Sequence, residues 1–444
     1  MTVEEARAPA ETERARVRVS GIVAGLTAAN VLGAASGFIT GPLLARALGA
    51  SGRGDLAAVV VPLALAPAVL SLGIPAFAYR ELPRGRPVEE VVGSLGLPLL
   101  LIGLLAAAAA IPVADALAGG RETIRAFLIV GFLSMPLVLV GGLLSSSLAA
   151  LERWRVVIVM SAIPFGGTFA AIVALYALGE LTVATAAGAT IGASLIALAP
   201  GFRLLVRPRR PVFHLALARR GVSFGVKSWV GGLAQIANLR LDQLLMITAV
   251  APRELGLYAV ATTISGASGL ATGALSPPLM TRIAGGETHL LPQAVRIVVA
   301  ATVGLNLALA LITPTLLALL FGPQFRDAVP MALVLLAANV PFAGASVLSS
   351  GLQADGAPLI PSVGEGIALV ITVAGLVMLL GPLGGVGAAI VSLAAYGASF
   401  LFQLAMARRR TRVPLSEFLV PSRADVRWAR GLLSGVGLRR RAAP

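Results

Sequence analysis

Apolar runs separated by short charged or Gly/Pro-rich breaks cover almost the whole chain. They fall at residues 19–46, 56–79, 91–113, 124–150, 156–178 and 182–203, and, after a basic stretch, at 223–249, 255–281, 296–320, 328–352, 358–380 and 385–407. A hydrocarbon core of roughly 30 Å requires about 20 apolar residues of a helix that crosses it, and every run reaches that length. A membrane β-barrel would instead show shorter segments of alternating polarity. The pattern predicts an all-α polytopic membrane protein of about 12 transmembrane helices.

Composition sharpens this. Hydrophobic residues make up 57% of the 444 and charged residues only 12%, about half the charged share of a soluble domain. The net charge of +15 invites a nucleic-acid reading. The basic residues, however, sit in loops and tail between apolar runs, and only 5% of residues are aromatic, so neither a basic face nor base-stacking rings are in evidence. Their distribution sets orientation instead, because cytoplasmic loops collect Lys and Arg. With the N-terminus inside, 28 of the 35 basic residues face the cytoplasm, six (Arg46, Arg53, Arg121, Arg125, Arg253, Arg326) face out, and Arg240 alone lies within a span. Both termini are therefore expected to be cytoplasmic, in a multi-pass protein of the cell inner membrane. The acidic N-terminus (Glu4, Glu5, Glu11, Glu13) and the long first run indicate a retained helix rather than a cleaved signal.

The chain has no cysteine, which removes disulfides, thiolate metal sites and thiol nucleophiles. Nothing calls for a metal or cofactor. The outer loops are short, and the only histidines, His214 and His289, fall on inner loops. A membrane polymerase or ligase needs a substantial outer loop with catalytic groups, so an enzyme is not expected.

The longest inner loop, 204–222, divides the chain into six spans and six. The expected organisation is a cytoplasmic segment 1–18, an N-lobe 19–203, the basic linker 204–222, a C-lobe 223–407 and a basic cytoplasmic tail 408–444. Because six is even, both lobes enter from the cytoplasm and form a parallel pseudo-repeat, the arrangement that places a transport path between lobes. Gly54-Asp55-Leu56-Ala57-Ala58-Val59 lies opposite Gly256-Leu257-Tyr258-Ala259-Val260-Ala261 at an offset of 202. In the tail, Ser422 with Asp425 has the form of a capping box. Val426, Ala429, Leu432, Leu433 and Val436 recur at helical spacing beside Arg427, Trp428 and Arg430, the pattern of a basic amphipathic helix lying on membrane lipids.

The run Gly41-Pro42-Leu43-Leu44-Ala45-Arg46-Ala47-Leu48-Gly49, then Gly52-Arg53-Gly54, then Leu72-Gly73-Ile74-Pro75, resembles the start of polysaccharide-biosynthesis flippases. So do Leu239-Arg240-Leu241-Asp242-Gln243-Leu244-Leu245 and Glu254-Leu255-Gly256-Leu257-Tyr258-Ala259-Val260-Ala261. These belong to the multidrug/oligosaccharidyl-lipid/polysaccharide superfamily, which includes O-antigen flippases, the lipid II flippase and multidrug MATE exporters. The resemblance implies a two-lobe, alternating-access transporter whose partner is an undecaprenyl-pyrophosphate-linked oligosaccharide. The lipid II branch carries two further helices, and no apolar run comes after 407, which favours the O-antigen or capsule type. The alternative is a MATE-like cation-coupled exporter. Such exporters usually keep an acidic residue deep in the first lobe, and none is evident here.

Charges at membrane depth are costly and point to function. Helix seven carries Lys227, Gln235, Asn238, Arg240 and Asp242. At about 100° per residue, Asn238 lies about 20° and Asp242 about 60° from Lys227, while Arg240 lies about 220° away. Arg240 and Asp242 therefore diverge and need partners elsewhere. At the 202 offset they face Phe38 and Thr40, so the repeat itself does not require them. Arginine's planar fork suits a pyrophosphate. Arg240, Asn238, Lys227 and, near the outer exit, Arg46 are the candidate substrate-binding residues. The cluster from Arg207 to Arg210 stands at the inner entrance, where it serves either substrate or topology. Asp242 and Glu365, the latter between Gly364 and Gly366 in span eleven, are the candidates to bind a coupling H+ or Na+. Against these roles stand plainer ones: Lys227 snorkelling to the interface, and Arg240, Asp242 and Glu365 as structural groups bonded to neighbours.

Overall fold

The computed structural model describes residues 3–206, 211–284, 290–421 and 425. Among these it is helical throughout, without a strand. The helices are α1 (Val3–Leu70), α2 (Ala78–Glu81), α3 (Val88–Ala108), α4 (Ala110–Ala118), α5 (Glu122–Leu133), α6 (Met135–Ala150), α7 (Trp154–Ala177), α8 (Val183–Ile196), α9 (Ala199–Gly201), α10 (Leu215–Ala249), α11 (Pro252–Ala284), α12 (Leu291–Leu316), α13 (Val329–Ala354), α14 (Leu359–Thr411) and α15 (Leu415–Leu419). Among the described residues seven helices are long and apolar enough to cross a membrane, and an eighth if α5 and α6 count as one bent span. Large apolar side chains stay on their surfaces, such as Leu311 at 83% and Val377 at 77% exposure. Water would not tolerate that much exposed hydrocarbon; lipid does.

Each predicted apolar run is helical, but its joints differ from expectation. The loop expected between runs 19–46 and 56–79 does not form. Instead α1 is interrupted only at Gly49, with φ 69° and ψ −178°. Runs 358–380 and 385–407 likewise merge into α14, interrupted at Gly384 with φ 53° and ψ −134°. Only a residue without a Cβ adopts such angles cheaply, so a single glycine replaces a loop. Past Gly384 the second arm folds back on the first: the position of a Cβ on Gly375 lies 2.7 Å from Val391. Prolines cause the other breaks. The run 91–113 breaks at Ala109, where Pro112 has no N–H to offer the Ala108 carbonyl. The run 124–150 bends by 48° between Leu133 and Met135, where Pro136 withholds the N–H that Phe132 would accept. The run 56–79 ends early, at Leu70, and continues as a 3-10 turn over Ile74–Phe77 with Pro75 in its first turn.

Packing separates two compact units, Met1–Ala259 and Val260–Pro444. In the first, α1 packs on α7, α8 and α5, α3 on α6, and α10 on both α1 and α3. Its core joins Ile74, Phe77, Leu95, Leu99, Leu139 and Leu143 to Leu217 of α10. Part of the expected linker is strapped down. Val212 donates its N–H to the Glu89 carbonyl at 3.0 Å, and the His214 N–H reaches Ser94 Oγ at 2.9 Å. The strap passes so close to α3 that a Cβ on Gly93 would sit 2.4 Å from the Val212 carbonyl oxygen. The cluster from Arg207 to Arg210 lies outside the described residues.

In this unit the start of α11 meets α1 backbone to backbone. A Cβ on Gly54 would lie 1.8 Å from the Pro252 carbonyl oxygen, and one on Gly256 would lie 1.8 Å from that of Ala50. α10 meets the end of α1 in the same way, at Gly73 and Gly225, and Trp229 Nε1 donates to the Ala68 carbonyl at 2.8 Å.

The second unit stacks α12 on α13 and α13 on α14, and α15 covers α12. Phe418 of α15 is fully buried beside Leu291, Val298, Leu348 and Leu404. Beyond it Asp425 accepts from Arg296 Nε at 2.6 Å and NH2 at 2.7 Å, and Gln293 approaches at 3.4 Å. Arg296 NH1 also donates to the Glu417 carbonyl. Both charged side chains are about nine-tenths buried, at 12% and 8% exposure. The expected capping role of Asp425 would join it to Ser422, which lies outside the described residues with the amphipathic stretch 426–444. A buried charge that loses its partner must find water, and the tail can do so by lifting off. Asp425→Asn should therefore release the tail: trypsin should cleave after Arg408–Arg412 faster than in the parent, while the helical circular dichroism holds. Unchanged cleavage would show that Phe418 alone anchors the segment.

Candidate functional site

The linker strap and the turn of Ile74–Phe77 bring the beginning of α10 against the end of α2. Residues 219, 223 and 227 are spaced at intervals of four, so they share one face of α10. That face and α2 enclose a cleft of about 500 Å³ lined by Phe77, Arg80, Glu81, Arg219, Arg220, Ser223, Phe224 and Lys227. Phe77 and Phe224 pack at a tilt of 47° with 5.3 Å between centroids, and the Arg80 guanidinium stands 5.9 and 5.7 Å over the two rings, a contact worth up to about 1 kcal/mol at an exposed site. Glu81 is the one carboxylate in the lining. It accepts from Arg86 Nε at 2.7 Å and lies 3.7 and 3.8 Å from Arg80 and Arg84, so its charge is shared by Arg84 and Arg86, outside the cleft, and by Arg80 in its wall. Arg80, Arg219, Arg220 and Lys227 leave the cleft strongly cationic, with arginine forks on both walls. Such a surface binds phosphate oxygens.

A second polar group lies further along α10. Thirteen residues separate Lys227 from Arg240, about 20 Å of helix. Here Asn238, Asp242 and Gln243 are buried, at 3%, 5% and 4% exposure. Tyr258 of α11 is fully buried, and its hydroxyl donates to the Asp242 carboxylate. The Gln243 N–H donates to Asp242 Oδ1 at 2.7 Å. A carboxylate this deep requires such donors. Arg240 turns away: it is exposed, and its NH1 reaches Gln243 Oε1 at 3.5 Å. The expected face of Lys227, Asn238 and Asp242 is thus two places rather than one. Asn238 and Asp242 are buried, while Lys227 stands exposed in the basic cleft. The side chain of Gln235 lies outside the described residues.

The remaining candidates stand apart from both groups. Arg46 is exposed on α1, three residues before the Gly49 joint. Glu365 belongs to the second unit, on the first arm of α14. Beside it Gly364 lets Gln403 and Ser399 of the second arm approach to 3.1 and 3.2 Å of a Cβ position. Gln403 there bonds to both Ser349 and Ser399.

Arg80, Arg219 and Arg220, which in the sequence count only among the 28 cytoplasmic basic residues, line a cleft with Lys227. The four-residue spacing of 219, 223 and 227 was the available signal. Tyr258 had none, since only the packing of α11 on α10 makes it a partner of Asp242. Arg53, expected on an outer loop, is helical, and its Nε is buried with no hydrogen-bond partner.

Several solved structures share this architecture. One described as the lipid II flippase MurJ in an inward closed conformation matches with a TM-score of 0.75 at 12% identity, covering 94% of each chain. An inward-facing multidrug resistance MATE family transporter of the MOP superfamily matches at 0.68 and 16% identity, over 85% of this chain and 94% of that one. The MATE multidrug transporter DinF-BH matches at 0.62 and 12% identity, over 90% and 96%. At such identities the likeness is one of fold, and the fold is that of the MurJ and MATE structures. No curated protein matches the sequence. The family described as polysaccharide biosynthesis protein matches residues 23–282, well over half of the chain. Since that match covers more than half of its length, the chain belongs to the polysaccharide biosynthesis protein family.

Proposed function

We propose that the chain is an alternating-access flippase, carrying an undecaprenyl-pyrophosphate-linked oligosaccharide from the inner to the outer leaflet of the inner membrane for surface polysaccharide synthesis. The observation that carries this reading is the basic cleft of Arg80, Arg219, Arg220 and Lys227. A doubly negative diphosphate is the ligand that arginine forks on opposing walls suit best. The family supports it, as does a fold shared with a flippase of lipid II. In this reading the chain has twelve spans and both termini in the cytoplasm. An N-lobe of 19–203 and a C-lobe of 223–407 flank the linker 204–222, and segments 1–18 and 408–444 lie at the cytoplasmic face. Lys227 and its arginine neighbours receive the pyrophosphate, Arg240 meets it deeper in the bilayer, where the cycle must uncover the buried Asn238 for it to take part, and Arg46 stands at the exit. The polyprenyl tail stays in lipid throughout. No bond is made or broken, so the protein is a carrier and not an enzyme. Asp242 and Glu365 would bind the H+ or Na+ that resets the cycle.

A MATE-like cation-coupled exporter is the second reading, favoured by the sealed carboxylate of Asp242 under Tyr258. Translocation of a labelled lipid-linked oligosaccharide in reconstituted vesicles, with and without an ion gradient, separates the two. The flippase reading expects the label to cross. Export of cationic dyes without movement of the lipid would replace it with the exporter. Arg240→Ala should lower lipid translocation by roughly tenfold or more, the loss of one charge-assisted hydrogen bond, with membrane insertion intact. Parental rates in that variant would remove Arg240 from the path.

A further inference from the structure

The first unit carries another basic groove, away from the cleft of α2 and α10. α7 and α8 form a hairpin joined over residues 178–182, so the start of α7 and the end of α8 lie side by side. α8 stops at Ile196, and beyond Pro200 the chain winds through a wider π turn over Phe202–Val206. Such a turn displaces side chains from the regular helical surface. It leaves a groove of about 710 Å³ whose lining includes Arg155, Val159 and Ile163 from α7 and Ile196, Pro200 and Arg203 from the other wall. No carboxylate is among its lining residues. Both arginines are exposed, and below them Val159 and Ile196 are 50% and 65% exposed. Trp154 and Phe202 pack beside the groove, against Val157, Met160 and Leu205. Aromatic rings at the end of a span commonly flank the headgroup layer.

α7 has a mean hydropathy of 2.2 over its most apolar window, of which only 17% is buried. Its outer face therefore has no protein neighbour within the unit and meets lipid. A groove with two guanidiniums at one end and an apolar shaft at the other is complementary to one molecule of that solvent. We propose that this groove is a binding site for an anionic phospholipid of the surrounding bilayer. The lipid phosphate sits against Arg155 and Arg203, and an acyl chain lies along Val159, Ile163 and Ile196. A guanidinium bonds two phosphate oxygens at once, and because the ammonium of a zwitterionic headgroup would be repelled by the two arginines, the pair favours a headgroup that is anionic overall. The inference does not rest on the proposed transport cycle, since the cleft and the groove share no residue.

The test uses the full chain with Trp154 as its only tryptophan, Trp229 and Trp428 being replaced by Phe. It is reconstituted in phosphatidylcholine with increasing brominated phosphatidylglycerol and no polyprenyl lipid. Quenching of Trp154 should report a preference for phosphatidylglycerol of about thirtyfold, from roughly 1 kcal/mol for each of the two arginines near the surface. Arg155→Gln with Arg203→Gln should bring that preference to about unity. Arg408→Gln with Arg409→Gln, which removes equal charge elsewhere, should leave it intact. Ile196→Phe fills the shaft without adding an indole, and should weaken quenching with both charges present. An unchanged preference in the Arg155/Arg203 variant overturns the site. An equal loss in the Arg408/Arg409 variant reduces it to general surface attraction and also overturns it. Displacement of the brominated lipid by trace polyprenyl diphosphate would assign the groove to that lipid instead.

Discussion

Gly54→Ala and Gly256→Ala should each lower transport at least tenfold, though neither adds more than a methyl group. A Cβ at either position would lie 1.8 Å from a backbone carbonyl oxygen, that of Pro252 or of Ala50, well inside contact distance. Neither oxygen belongs to a flexible side chain that could swing aside, so α1 and α11 must separate by an ångström or more. Overpacking of this kind costs about 1–3 kcal/mol, a factor of about 5 to 150, and a clash with backbone that cannot swing aside falls in the upper part of that range. The energy falls on the conformation in which the helices touch, so its relative population, and any cycle that passes through it, suffers with it. Gly37→Ala provides the opposite case on the same helix. Nothing lies within 4 Å of its Cβ position, and alanine in a helix gains about 0.5–1 kcal/mol over glycine. Thermal unfolding in detergent and restoration of surface polysaccharide in a deletion strain would measure the contrast. Equal behaviour of Gly54→Ala and Gly37→Ala would mean that the crossing has been misread.

The second large effect is expected in the basic cleft. Arg219, Arg220 and Lys227 are exposed, so water and salt weaken each one. A single change to Gln should cost a few-fold. The triple change should cost on the order of 100-fold, because the charges act together on one ligand and leave Arg80 the only cation in the lining. The loss should shrink as salt rises, since the parent then loses the same attraction. Glu81→Gln removes the lining's carboxylate and should not weaken substrate capture, unlike every basic substitution. Vesicle translocation over a salt series reads all of these. A triple variant with parental rates would move the pyrophosphate site elsewhere, and a loss that does not vary with salt would indicate folding damage instead of charge.

The helices were legible because bilayer thickness fixes how many apolar residues a span needs, and that constraint is written residue by residue. Their joints were less so. Pro112 and Pro136 were visible as prolines, but whether a proline kinks, breaks or is absorbed depends on what packs around it. The strap at Val212 and His214 has the sequence of an open linker because its anchors, Glu89 and Ser94, lie more than a hundred residues away. For the site, helical spacing correctly put Asn238 and Asp242 together, since both lie within one regular stretch of α10. It failed for Lys227, where the same geometrical face leaves the protein interior. Arg219 and Arg220 were obscured by their second role, because charges that orient a membrane protein and charges that hold a ligand look alike in sequence.

The joints at Gly49 and Gly384 also limit how the gene can change in length. A loop absorbs an added codon by bulging outward. At a one-residue joint, an extra amino acid instead enters a helix, turning the rest of the span by about 100° and advancing it by about 1.5 Å. The faces that meet lipid and protein would then be turned by more than a quarter of the circle along an entire span. Insertions and deletions should accumulate in the turns at 82–87 and 178–182, while the counts from Arg46 to Gly52 and from Pro382 to Gly387 stay constant.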